Sequence, residues 1–87
     1  MNSHQLVIEC KDQPAAIERL LRTTRHRGFA VRELHLQAVD DTESVTIRLT
    51  VSGERPLQLL TTQLAKLVDI TTIDVKASLT TQLTNSA

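Results

Sequence analysis

Arginine and histidine side chains gather on one short stretch of this sequence. Arg19, Arg22 and His26 follow one another at intervals of three and four residues, with Arg25 and Arg27 beside them. On a helix this spacing places the first three on one face. Arginine binds carboxylates through two parallel hydrogen bonds, which gives it directional contacts with acidic partners. The stretch is therefore interpreted either as an ordinary solvated face or as a docking surface for an acidic partner.

The remaining reactive side chains form no catalytic or metal-binding pattern. Cys10 is the only cysteine, which excludes an internal disulfide and a site built from several cysteines, and fits a reducing cytosol. It is interpreted as a small buried apolar residue. His4, His26 and His35 lie in separate predicted elements and are interpreted as ordinary surface or half-buried histidines. We expect no catalytic residue and no metal site on this chain.

Composition excludes further classes of function. The 87 residues carry no net charge, and Phe29 is the only aromatic residue, so we expect neither nucleic acid nor an anionic membrane as a partner. The sequence opens directly into a strand pattern and has no long apolar run, so we expect no signal peptide and no membrane span. A chain of this length buries only about 60% of its unfolded surface. The sequence therefore predicts one small cytoplasmic domain with a modest core.

Hydrophobic periodicity predicts six elements. Strands are predicted over residues 4–11, 29–39, 44–52 and 69–79, and helices over residues 13–27 and about 57–67. Asp12 is expected to cap the first helix, Pro14 suits its first turn, and Gly28 ends it. Mixed phases in the second strand predict a bulge near Arg32 and Glu33.

The second helix and the last strand have one core-facing side each. The predicted inward residues are Leu57, Leu60, Leu64, Leu67 and Val68 on the helix, and Ile73, Val75, Ala77 and Leu79 on the strand. Leu59 falls on the opposite side of the second helix. An exposed leucine is ordinary, but this one is also a candidate partner contact.

The element order βαββαβ favours two interleaved split βαβ units. The result is an α+β, ferredoxin-like fold: a four-stranded antiparallel sheet of order 4-1-3-2 with both helices on one face. We expect a single domain over residues 1–79 and a flexible tail over residues 80–87. The second strand then lies at an edge, and its unpaired backbone groups favour pairing with another chain.

Three stretches resemble a known family. Residues 12–20 (DQPAAIERL) and 25–31 (RHRGFAV) resemble the ACT domain of the small subunits of acetolactate (acetohydroxyacid) synthase. Residues 63–70 (QLAKLVDI) resemble the end of that family's second helix. The resemblance covers residues 5–77. The short chain, with no further domain expected after this one, and the RHRGF run are most similar to the isozyme II type.

The resemblance implies a regulatory and activating subunit without a catalytic centre or cofactor of its own. Its implied partner is a catalytic large subunit that carries thiamine diphosphate, Mg²⁺ and FAD. That enzyme condenses pyruvate with pyruvate or 2-ketobutyrate in branched-chain amino-acid biosynthesis. The resemblance also implies a homodimer through the edge strands of the ACT domain.

Valine-sensitive members of the family read D/N-x-P-G between the first strand and the first helix, where an amino acid binds at a dimer interface. The matching effector-loop residues here are Asp12, Gln13, Pro14, Ala15, Ala16 and Ile17. Ala15 takes the place of the glycine, which would let a ligand carboxylate reach bare backbone N–H groups. A methyl group narrows that approach, so we expect weak or absent effector binding, as in the valine-insensitive isozyme II type.

Contact with the large subunit is expected on the first helix, the edge strand and the second helix. The candidate contact residues are Arg19, Arg22, His26, Phe29, Val31 and Leu59. Two alternatives remain open at this point. In the first, the chain is an amino-acid-sensing ACT module of another enzyme; in the second, it is a ferredoxin-like dimerisation or adaptor module.

Overall fold

The computed structural model describes residues 2–80, which form six elements in the order βαββαβ. The elements are β1 (Asn2–Lys11), α1 (Pro14–His26), β2 (Ala30–Ala38), β3 (Ser44–Gly53), α2 (Leu57–Ala65) and β4 (Ile70–Thr80). All three strand pairs are antiparallel, in the order β2-β3-β1-β4. This is the predicted order 4-1-3-2 counted from the other edge, so the predicted fold is confirmed.

One hydrophobic core lies between the sheet and the two helices. Its buried members are Leu6, Ile8, Cys10, Leu20, Phe29, Val45, Ile47, Leu49, Val51, Leu60 and Leu64. The strict alternation of β1 and β3 supplies most of them, because every second residue of a strand points to the same face. Thr24 is also fully buried, and its hydroxyl donates to the Leu20 carbonyl oxygen at 2.8 Å, which satisfies its polar atom inside the core.

The ends of α1 differ partly from the prediction. Gln13, not Asp12, is the N-cap residue, and no side chain caps the helix. The prediction of an Asp12 cap was wrong because the Asp12 backbone instead bonds to the loop before β3, with its N–H donating to the Glu43 carbonyl oxygen at 2.8 Å. Pro14 does occupy the first turn, and Gly28 follows the helix with a φ of 90°, the left-handed region that favours glycine.

β2 is an edge strand, as predicted. Its pairing with β3 shifts register between Val31 and Glu33, which confirms the predicted bulge. The bulge places Val31 and Leu34 against the same core although they are three residues apart. Phe29 precedes the strand and is 2% exposed, so it belongs to the core.

The region from α2 to β4 holds the other corrections. α2 ends at Ala65, and Val68 is 83% exposed, so its predicted burial was wrong. A register shift in the β1–β4 pairing brings Ala77 opposite Gln5, on the outer face of the sheet, and the prediction that it points inward was also wrong. Ile70, which the periodicity did not select, packs against the core. The side chain of Leu79 and the predicted tail lie outside the described residues, except that the β4 backbone continues to Thr80.

Residues 2–80 lack two kinds of feature. No helix in this part of the chain is long and apolar enough to cross a membrane. No group of three or more His, Cys, Asp or Glu residues is placed there to hold a metal ion.

Candidate functional site

The effector-loop residues, 12–17, form a turn into α1 that backbone hydrogen bonds hold on both sides. We call it the α1 entry turn. Just before it, the Lys11 N–H donates to the Asp69 carbonyl oxygen at 3.0 Å. Within it, the N–H groups of Asp12 and Gln13 donate to Glu43 and Lys11 at 2.8 Å and 2.9 Å. The turn is therefore fixed to the loop before β3 and to the start of β4.

Few backbone donors remain free in the α1 entry turn. Pro14 has no N–H, and the N–H groups of Ala16 and Ile17 both donate to the Gln13 carbonyl oxygen, at 3.0 Å and 3.3 Å. Ala15, between Pro14 and Ala16, is exposed, and its N–H makes no backbone hydrogen bond. A carboxylate approaching residues 14–17 thus meets one free backbone donor, beside the Ala15 methyl group.

The inner end of the α1 entry turn belongs to the core. Ala16 is 4% exposed, and Ile17 packs against the core from its edge. Cys10, two residues before this turn, is buried, which confirms its interpretation as a small apolar residue. Burial raises the pKa of its thiol, and the carboxylates of Asp69 and Asp12 raise it further. The thiol therefore stays protonated and is a poor nucleophile.

The basic residues predicted as partner contacts separate into two groups. Arg19 bonds to Asp69, with 2.7 Å between Nη1 and Oδ2, and so fastens α1 to the turn before β4. Arg22 and His26 instead line a groove of about 290 Å³ between α1 and α2. We call it the basic groove; its polar lining is Arg22, Thr23, His26, Arg27, Gln63 and Lys66, with Leu67 as an apolar member.

Sequence periodicity did not predict the basic groove, because three of its seven lining residues come from α2 and the turn that follows. The sequence places Arg27 beside the first helix, but its pattern does not show that Lys66 lies close to Arg27. The signal was present in the predicted packing: two helices on one face of a sheet bring their polar margins together. The groove could therefore have been found once the helices were taken as a pair.

The apolar residues predicted as partner contacts differ in their exposure. Phe29 is buried, with its ring edge-on to that of His4 at 6.2 Å between centroids, so its prediction as a surface contact was wrong. Val31 is half-buried against the core. Leu59 is 42% exposed, and Leu36 on the edge strand, which the sequence did not single out as a contact, is 43% exposed.

His4 lies deeper than expected. It is 9% exposed, on the core-facing side of β1, and burial lowers the pKa of its imidazole. Its interpretation as a surface or half-buried histidine was wrong because His4 is in phase with Leu6 and Ile8 on the core-facing side of β1, where the Phe29 ring lies against it. His26 and His35 are exposed.

The outer face of the sheet carries a second, larger groove of about 400 Å³. Its lining mixes Arg48, His35 and Lys76 with Glu33 and neutral residues. Lys76 lies 3.5 Å from the Asp74 carboxylate. Groups of both signs of charge therefore line this groove, unlike the basic groove.

Comparisons with known proteins agree with this geometry. A family model described as the ACT domain matches residues 12–73. The chain is 40% identical over 81 residues to the acetolactate synthase isozyme 2 small subunit of Escherichia coli (strain K12), covering 93% of each chain, and the protein of the same name from Shigella flexneri gives the same values. Among solved structures, the ACT domain from the GTP pyrophosphokinase of Chlorobium tepidum matches with a TM-score of 0.71 and 17% identity, covering 85% of this chain and 96% of that one. The chain therefore belongs to the ACT domain family, among the relatives of the acetolactate synthase isozyme 2 small subunits.

Proposed function

We propose that this chain is the regulatory small subunit of an acetolactate synthase and activates the enzyme by docking on its catalytic large subunit. The observation that carries this proposal is the 40% identity over 93% of both chains to a protein of that name. Docking activates only if the small subunit binds the active arrangement of the large subunit more tightly than the inactive one, since equal affinity shifts no equilibrium.

In this proposal the small subunit supplies no reacting group. Thiamine diphosphate, Mg²⁺ and FAD belong to the large subunit, and the complex works in the cytoplasm. The buried, protonated Cys10 and the exposed, scattered positions of His26 and His35 support a chain without chemistry of its own. We treat residues 1–79 as one ACT domain, which the family match over residues 12–73 supports.

The proposed subunit acts without control by valine or another branched-chain amino acid. The α1 entry turn supports this, because residues 14–17 offer one free backbone donor, beside the Ala15 methyl group. A site for a free amino acid needs several converging polar groups to fix the carboxylate and the ammonium group. The same turn is already bonded to Glu43, and Lys11 just before it is bonded to Asp69.

We also propose that two copies pair through β2. The strand lies at the edge of the sheet, and Leu36, opposite Ile47 on the helix-covered face, is 43% exposed there. An edge with unpaired backbone groups and a flanking apolar side chain suits a second copy of the same strand.

The direct test is reconstitution. The purified chain is mixed with a purified acetolactate synthase large subunit carrying its cofactors, and acetolactate formation is measured against the large subunit alone. We expect a several-fold rise in rate that saturates as the small subunit is added. An unchanged rate, with no change in cofactor affinity, would contradict the proposal and favour an adaptor module.

Calorimetry tests the absence of amino-acid control. Valine, leucine and isoleucine at millimolar concentration are expected to give no binding heat with the wild-type chain. Ala15→Gly is the matched variant, because it removes the methyl group without altering the hydrogen-bonded turn, and we expect it to bind valine more tightly than the wild type does. Micromolar binding to the wild type would instead favour an amino-acid-sensing module.

A further inference from the structure

The basic groove concentrates positive charge, although the chain as a whole has no net charge. Ten basic and ten acidic residues balance in the sequence, yet Arg22, His26, Arg27 and Lys66 line the groove and no carboxylate does. Two other cations are paired with carboxylates: Arg19 with Asp69, and Lys76, on the outer face of the sheet, with Asp74. Within residues 2–80, no ion pair reaches Arg22, Arg27 or Lys66.

The donors in the groove suit carboxylates held on a chain better than a small free anion. The groove lies at the C-terminal half of α1 and the end of α2, where helices present carbonyl oxygens and not N–H groups, so the backbone gives a phosphate nothing to bind. Among residues 2–80 the single aromatic ring, Phe29, is buried, so a nucleotide base has no surface for stacking. Side-chain donors alone remain: Arg22 and Arg27 on one wall, Lys66 on the other, with Thr23 and Gln63 between them.

The placement of the cations also favours an extended acidic segment. Arg22 and Arg27 line the groove from the side of α1, and Lys66 lines it from the end of α2. Successive side chains of an extended chain point to opposite sides, so acidic residues along one extended segment meet both walls of the groove. Arginine holds each carboxylate with paired hydrogen bonds.

We propose that the basic groove binds an acidic, extended segment of the catalytic large subunit. This rests on the proposed function, and it assigns the docking contact to Arg22, Arg27 and Lys66 and not to Arg19, whose charge is already used by Asp69. Leu67 gives the segment an apolar surface beside its carboxylates.

The test compares two variants of equal charge. Arg22→Glu with Lys66→Glu reverses the groove, and Arg25→Glu with Arg48→Glu reverses two exposed arginines outside it. The control also reproduces the placement of an acid near the C-terminus of α1, where a negative charge is unfavourable. Circular dichroism first establishes that both fold. Affinity for the large subunit is then measured by calorimetry at low and high salt.

We expect the dissociation constant of the groove variant to rise roughly tenfold or more, as for the loss of charged contacts at an interface, and that of the control to stay within about twofold of the wild type. The salt dependence should weaken only in the groove variant. Equal weakening of both variants, or wild-type affinity in the groove variant, would overturn the assignment while leaving the proposed function intact.

A second measurement does not depend on the large subunit. A hexaglutamate peptide is titrated into the wild-type chain while amide signals are followed by nuclear magnetic resonance, with inorganic phosphate at equal charge as the comparison. We expect the peptide to shift the signals of Thr23, Gln63 and Leu67 and phosphate to leave them nearly unchanged. Equal shifts with phosphate, or no shift with the peptide, would overturn the inference.

Discussion

At the scale of single residues, the two glycines lie close together, Gly28 just after α1 and Gly53 at the end of β3. Gly28 has a φ of 90°, and a Cβ there would lie 3.0 Å from Cδ of Arg55, the end of a flexible side chain. A Cβ at Gly53 would instead lie 2.9 Å from both the Gly28 carbonyl oxygen and Cδ2 of Phe29. The second clash involves backbone and a buried ring, neither of which can move cheaply.

Gly53→Ala is therefore expected to destabilise the fold through overpacking, by about 1–3 kcal/mol. Gly28→Ala is expected to cost about 1–2 kcal/mol through its left-handed backbone conformation, because Arg55 can turn away. Urea unfolding of the two variants measures both values. A Gly53→Ala variant as stable as the wild type would show that Phe29 does not fix this corner.

His4 should make stability depend on pH. Burial lowers the pKa of His4 below the ordinary histidine value of about 6.5, so the folded chain binds this proton less readily than the unfolded chain does. Its stabilising contribution is complete above the unfolded pKa and is lost as the pH falls through the folded pKa. We expect the free energy of unfolding to fall between about pH 7.5 and pH 5.5, and the fall to be smaller in His4→Gln, which does not titrate. Equal pH profiles for the two proteins would contradict this role of His4.

Local sequence chemistry predicted some residues well and others poorly. Pro14 and Gly28 were predictable because their backbone geometry depends on the residue itself. The Asp12 cap was not, because the preference of aspartate for helix N-caps was outweighed by a backbone bond to Glu43, thirty-one positions away along the chain. The exposure of Val68 was likewise decided by where α2 ends, which periodicity places only approximately.

At the scale of elements, the central strands were predicted better than the edge strands. β1 and β3 have neighbours on both sides, so their alternation gives burial directly. β2 and β4 carry register shifts and open margins, and there Leu36 and Val75, both paired with core-facing residues, are 43% and 49% exposed. A residue can point toward the core face and still lie beyond the helices that cover it.

The open margin of β2 gives a test of the proposed dimer. Leu36→Lys places a charge beside the pairing edge and should weaken self-association, with a dissociation constant raised about tenfold, equivalent to roughly 1.4 kcal/mol. Leu59→Lys is the matched control, since Leu59 is almost equally exposed, at 42%, but lies on α2. Sedimentation equilibrium gives the constants. Weakening of equal size in both variants would argue against pairing through β2.

At the scale of the whole molecule, a single core joins both helices to the sheet. Leu60 on α2 is fully buried in it, and we expect Leu60→Ala to lower the free energy of unfolding by about 2–5 kcal/mol through the cavity it leaves. Because the core is continuous, helix and sheet should unfold together. Circular dichroism and backbone amide signals would follow one transition; separate transitions would contradict a single cooperative unit.

The α1 entry turn could be predicted from the sequence more directly than the basic groove could. The turn is one continuous stretch, so its residues and the Ala15 substitution were evident at once. The groove depends on the packing of α1 against the end of α2 and on the diversion of Arg19 to Asp69. Neither contact follows from the composition of α1 alone.

Asp69 fastens both sides of the entry to α1, through its backbone to Lys11 and through its side chain to Arg19. The consequence concerns entropy. A ligand that communicates by ordering a loose loop spends part of its binding free energy on that loop, and the loss of motion is what a distant site detects. Here the loop is ordered before any ligand arrives, so ligand binding has little motion left to remove and little to transmit. This pre-ordered loop supports the proposed subunit, which acts without control by an amino acid.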